Sequence, residues 1–171
     1  MFYVLNAPKN NDNRKEQNMK SGLVHVQYHN REFIRVNGIS MMPALLDGDK
    51  LILKAHREYK PGDVLVYSYG INKVLVHRLL FCIEDMYLCK GDNAFRTEQV
   101  NQEYIIGKVF LVIRRNRSFP PPAVTNEFLT MSYEVSREFQ RNAEDISITI
   151  SSDVYKKYII KRSLLFKNSN S

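Results

Sequence analysis

Residues 63–80 read DVLVYSYGINKVLVHRLL. Two short apolar runs, DVLVY (63–67) and KVLVHRLL (73–80), stand on either side of a break at Gly70 and Asn72. Runs of this length, rich in Val and Leu and bounded by turn residues, read as β-strands. The same texture extends outward in both directions. FIRV (33–36) and KLILK (50–54) come before; MYLCK (86–90) and YIIGKVFLVI (104–113) come after. Asp47-Gly48-Asp49, Pro61-Gly62-Asp63 and Gly91-Asp92-Asn93 punctuate them. Many short strands with regular turn signals and no fixed-period repeat predict a mainly β fold, a small sandwich or partly open barrel.

On the N-terminal side, residues 9–20 are polar and rich in Asn and Lys, the apolar run Phe2 to Leu5 is too short for an anchor, and residues 1–21 predict a flexible lead-in. On the C-terminal side, Ser118-Phe119-Pro120-Pro121-Pro122 ends the strand texture, because three prolines cannot continue a hydrogen-bonded ladder. The expected division is a lead-in (1–21), a β domain (22–117) and an accessory segment (118–171). In that segment Phe128, Leu129, Met131, Val135 and Phe139 have the spacing of an amphipathic helix over 127–141. ISITI (146–150) alternates as a strand does, and VYKKYIIKRSLLF (154–166) suits a strand or a helix. The segment is expected to be an α+β appendage that packs on the β body or reaches a protein partner.

Apolar residues make up 44% of the 171 and aromatics 11%, enough to bury a core, so wholesale disorder is excluded. No stretch approaches the ~20 uninterrupted apolar residues of a membrane helix, and residues 1–20 lack the apolar run of a secretory signal. Two Cys cannot build a disulfide framework. The expectation is a soluble, cytoplasmic protein without a cofactor. Twenty-five Lys and Arg against 18 Asp and Glu give a net charge of +7, which admits nucleic acid, an anionic membrane surface or acidic peptides as partners. The charge is dispersed, with clusters at Arg114, Arg115 and Arg117 and at Lys156, Lys157, Lys161 and Arg162. Solvated faces are the ordinary reading of such clusters. No aromatic stacking platform accompanies them, which makes nucleic acid an unlikely partner and leaves peripheral membrane contact open.

Three short stretches carry chemistry. In VNGISMMP (36–43) a strand runs into Gly38, Ser40 and Pro43, placing Ser40 on a tight turn where its hydroxyl can serve as a nucleophile and its own N–H can face an oxyanion. Gly38, Met41, Met42 and Pro43 then become candidates for the cleft wall, with packing the alternative role for the methionines. In KVLVHRLL, His77 shares one strand face with residues 73, 75 and 79. An imidazole held there can take and return a proton near neutral pH. In KGDNAFRTE (90–98), Asp92 and Glu98 supply carboxylates that could orient His77. Each stretch alone is more often an ordinary turn or strand.

Together they form an ordered series: Gly38-Ile39-Ser40-Met41-Met42-Pro43, Gly62-Asp63-Val64-Leu65-Val66, Val76-His77-Arg78-Leu79-Leu80, Lys90-Gly91-Asp92-Asn93 and Gly107-Lys108-Val109. This series resembles the signal peptidase I and SOS-repressor self-cleavage superfamily over roughly residues 33–113. The resemblance implies a partly barrel-like β fold and hydrolysis of a peptide or protein substrate by a Ser nucleophile. Most bacterial members use a Lys base; His77 at that position resembles the Ser–His variety of the endoplasmic-reticulum and archaeal enzymes. Asp92 matches the family turn and Glu98 the spacing of the triad acid, so either could complete the site with Ser40 and His77.

The sequence also departs from the family. Where bacterial enzymes often carry a hydroxyl residue two before the nucleophile, Gly38 stands here, which puts more of the oxyanion load on the Ser40 N–H. From residues 1–32, neither a membrane anchor nor a DNA-binding helix pair is expected ahead of the motifs. A non-catalytic peptide-binding or scaffold protein is therefore the competing expectation. The segment Phe33 to Val36 is the candidate edge on which an extended peptide would lie. His25 and His29 have helical metal-ligand spacing but sit in a strand-like run, so metal binding is set aside. Cys82 and Cys89 flank a hairpin turn near Glu84-Asp85 and could be cross-strand neighbours.

Overall fold

The computed structural model describes residues 26–28, 31–55, 58–70, 73–84 and 86–167. The lead-in, the His25/His29 pair, Asn72 and Asp85 lie outside the described residues. The described strands are β1 (Val26–Tyr28), β2 (Arg31–Arg35), β3 (Lys50–Lys54), β4 (Val64–Ser68), β5 (Val74–Ile83), β6 (Met86–Lys90), β7 (Thr97–Asn101), β8 (Ile105–Arg114) and β9 (Arg117–Phe119). Three helices follow: α1 (Asn126–Arg141), α2 (Ile146–Ser151) and α3 (Asp153–Leu165). None of the described helices is long and apolar enough to cross a membrane.

The strands form one antiparallel sheet in the order β1-β2-β3-β8-β4-β5-β6-β7, with β9 added to β8. Register shifts at Ile52/Leu53, Val66/Tyr67 and Leu79/Phe81 bend the ladders, as extra residues in one strand do. The result is a mainly β, curled half-barrel. Side chains alternate across it. Val64, Val66, Val74 and Val76 join Ile34, Leu51, Val109 and Val112 in one core, while Leu65, Tyr67, Leu75 and Leu79 join Tyr87, Cys89 and Val100 in another. Burial on both faces explains why β4 and β5 read as nearly unbroken apolar runs.

The helices cover a third cluster, in which Phe128, Leu129 and Val135 of α1 and Tyr158 of α3 meet Leu80 of β5, Ala44 and Phe166. Thr125 caps α1 by accepting from the Phe128 N–H (3.2 Å). The strand expected at 146–150 is instead α2. Asp145 caps it by accepting from the Ile148 N–H (3.0 Å), and Thr149 is its buried residue, while Ile146, Ile148 and Ile150 are exposed. The alternation of ISITI therefore reports no half-buried strand. Residues 154–166 likewise fall in or next to α3, capped by Ser152, so the C-terminal part is helical after β9. Cys82 lies opposite Tyr87 and Cys89 opposite Leu79, so the two thiols are not cross-strand partners.

Candidate active site

β2 ends in a loop that Asp49 holds in place. Its carbonyl accepts from the Val36 N–H (2.7 Å), and its carboxylate accepts from the Leu46 N–H (2.8 Å) and takes a fork from Arg114 (2.9 and 2.7 Å). Arg114 of the first basic cluster is thus committed to structure. Gly38 has φ +113°, a conformation that side chains rarely adopt, and its N–H donates to Asp47 (2.8 Å). The Met42–Pro43 peptide is cis. Met41 is buried in the core, so of the two methionines only Met42, with Ile39, is exposed beside Ser40.

Ser40 Oγ lies 3.0 Å from His77 Nε2, and His77 Nδ1 lies 2.9 Å from Glu98 Oε2. A carboxylate only accepts, so the hydrogen sits on Nδ1 and leaves Nε2 to accept from the serine hydroxyl. Tyr67 donates to the same Glu98 oxygen at 3.2 Å. Burial, then the Glu98 charge, pushes the Tyr67 phenol well above its ordinary value and keeps it a donor. The sheet explains the meeting. Leu65 faces His77 across β4 and β5, Leu79 faces Cys89 across β5 and β6, and Cys89 faces Glu98 across β6 and β7. His77, Tyr67 and Glu98 therefore share one sheet face.

Of the two carboxylates left open by the sequence, Glu98 meets His77 and Asp92 does not. The reason is the strand period: Arg78 points to the face opposite His77, and Asp92 goes with it. Arg78 grips Asp92 through Nε (2.9 Å) and Nη2 (2.7 Å), both side chains almost wholly buried, and reaches the carbonyls of Gly62 (2.9 Å) and Pro122 (3.2 Å). The edge expected at Phe33–Val36 is occupied in part: Phe33 pairs with Val26 of β1, while Ile34 and Arg35 pair with β3.

The turn after β6 backs directly onto the Ser40–His77 pair. The Asn93 N–H donates to the Ser40 carbonyl (2.6 Å), and its side-chain amide donates to the Ile39 carbonyl (3.2 Å). A Cβ on Gly91 would stand 2.5 Å from the Ser40 carbonyl oxygen and 3.0 Å from His77 Nε2. Gly91→Ala is expected to push the turn away from Ser40. If Ser40 is the nucleophile, kcat falls on the order of 100-fold, the scale of an ångström-size misplacement. Steady-state kinetics on a cleaved peptide, with a crystal structure of the variant, checks this.

Behind the turn lies Lys90, fully buried, donating to Ser132 Oγ (3.0 Å) and the Gly91 carbonyl (3.3 Å) with its ammonium 5.0 Å from the Tyr158 ring. Burial, reinforced by Arg162 and opposed by Asp92 and Glu98, lowers its pKa to about 7. Below that pH both folded and unfolded chains hold the proton, and the burial penalty is full. Between about 7 and the ordinary 10.5 only the unfolded chain holds it, so stability rises by about 1.4 kcal/mol per pH unit. Lys90→Met removes this slope. Its stability relative to wild type is expected to fall by on the order of 2 kcal/mol from pH 7 to pH 9, read by urea titration at each pH.

Sequence reasoning named neither Tyr67, nor the close approach at Gly91, nor the Arg78–Asp92 pair. The only signal for Tyr67 was its shared parity with Leu65 in DVLVY. The chain matches the Peptidase S24-like family over residues 6–110, and it belongs to that family. Comparison with the curated proteins gives no match.

Proposed function

We propose that the chain is a serine endopeptidase of signal-peptidase type. Ser40 Oγ attacks the scissile carbonyl as His77 Nε2 takes its proton, and Glu98, steadied by Tyr67, holds the imidazole and offsets the imidazolium charge. The Ser40 N–H serves the tetrahedral oxyanion, a contribution of about 3 kcal/mol per donor in other hydrolases. The imidazolium then protonates the leaving amine, and water, activated by the same His77, releases the acyl group from Ser40. The observation that carries this reading is the unbroken Ser40–His77–Glu98 hydrogen-bond series. The exposed Ile39 and Met42 beside Ser40 favour an apolar peptide segment such as a leader. The test is digestion of a mixed peptide library read by mass spectrometry. Cuts made by wild type and absent with both Ser40→Ala and His77→Ala are expected. Peptides that are retained but never cut would instead support a binding protein.

A further inference from the structure

We infer that Arg162 and Tyr158 of α3 are positioning residues for the nucleophile turn, acting through the Asp92–Asn93 peptide; the inference rests on the reading of Ser40 as nucleophile. Arg162 Nη1 donates to the Asp92 carbonyl (3.0 Å) and to Asn93 Oδ1 (2.7 Å). The Tyr158 hydroxyl donates to the same Asp92 carbonyl (2.6 Å). That carbonyl and the Asn93 N–H belong to one peptide group, and the N–H is the donor that meets the Ser40 carbonyl at 2.6 Å. Two donors on the oxygen, one of them charged, polarise the peptide and strengthen the bond made by its nitrogen.

Arg162 also settles the direction of the Asn93 side chain. A guanidinium only donates, so Oδ1 must face it, which aims the amide NH2 at the Ile39 carbonyl (3.2 Å). The peptide carbonyls on either side of the Ser40 Cα, those of Ile39 and Ser40, are thereby fastened to Asn93, and Asn93 to α3. Tyr158 is buried against Phe128 (ring centroids 5.3 Å), which gives the fastening a rigid base. α3 lies wholly beyond residues 6–110, the part of the chain that matches the family. The accessory helices are therefore part of the site's construction in this chain.

The test uses the full chain with Arg162→Ala, Arg162→Lys, Tyr158→Phe and, as a control, the exposed Lys157→Ala. Amide exchange at Asn93 is read alongside kcat and KM on a cleaved peptide. Arg162→Ala and Tyr158→Phe are expected to speed Asn93 exchange about tenfold while β3 to β5 stay protected. The expected kinetic effect is a fall in kcat of about tenfold or more at nearly constant KM, with partial rescue by Arg162→Lys and none needed for Lys157→Ala. If Arg162→Ala loosens the whole sheet, Tyr158→Phe, which keeps its ring, carries the test. Wild-type exchange at Asn93 in Tyr158→Phe and Arg162→Ala overturns the inference. So does faster exchange with unchanged kcat. Failure of the peptidase reading shows differently, as identical products from wild type and Ser40→Ala; the Asn93 exchange rates then decide the fastening alone.

Discussion

Ser40→Ala and His77→Ala are each expected to lower kcat on the order of 10⁶-fold, and the double variant is expected to be no worse than either alone. Serine and base act as one unit in a triad hydrolase, because a hydroxyl without its base is a weak nucleophile and a base without the hydroxyl has nothing to activate. Under the proposed function, the 3.0 Å contact between Ser40 Oγ and His77 Nε2 makes the two such a unit. Glu98→Gln is expected to cost less, on the order of 10⁴-fold, since it holds the imidazole without taking its proton. Single-turnover rates for the four variants on one cleaved peptide check the pattern. Losses that multiply in the double variant would mean that Ser40 and His77 work independently.

Asp92→Ala is expected to destabilise the fold by about 3–5 kcal/mol, because it leaves the Arg78 guanidinium buried without its counter-charge. For a chain of this length that is a fall in melting temperature on the order of 10 °C. Replacing both partners, as Arg78→Met with Asp92→Leu, is expected to recover most of the loss, since no charge is then stranded. Thermal denaturation of the two variants checks this, and it separates Asp92 from Glu98. Glu98→Gln is expected to leave the melting temperature near that of wild type, because the amide still accepts from Tyr67.

The strands that read clearly were those whose residues the fold buries. KLILK and MYLCK coincide with β3 and β6, DVLVY lies within a residue of β4, and KVLVHRLL starts one residue before β5 and ends three before its end. β7 did not read at all. TEQVN buries only Val100, which packs with Tyr87 and Cys89 of β6, and its other residues have the composition of a loop. That one omission left Asp92 and Glu98 undecided, since the register of β7 is what brings Glu98 to the His77 face. ISITI misled for the opposite reason. Its isoleucines are exposed, and the helix is set by a cap at Asp145 and one buried threonine. The Ser40 turn and His77 were legible because their residue types are rare in combination. The roles of Tyr158 and Arg162 were not, since nothing local links residues some seventy positions from the turn they hold.

The place of β8 in the sheet has a consequence in time. Among the described strands, β8 alone pairs with both the β1–β3 set and the β4–β7 set, and its partners in β3 lie more than fifty residues earlier in the chain. Ser40 follows β2 on one side of that seam; His77 and Glu98 sit in β5 and β7 on the other. A refolding chain can build both sets of local strand pairs and still keep Ser40 and His77 apart until β8 seats. Closing so long a loop is slow relative to local pairing. The expected result in refolding is that the Ser40–His77 contact forms only after β8 has paired with both β3 and β4.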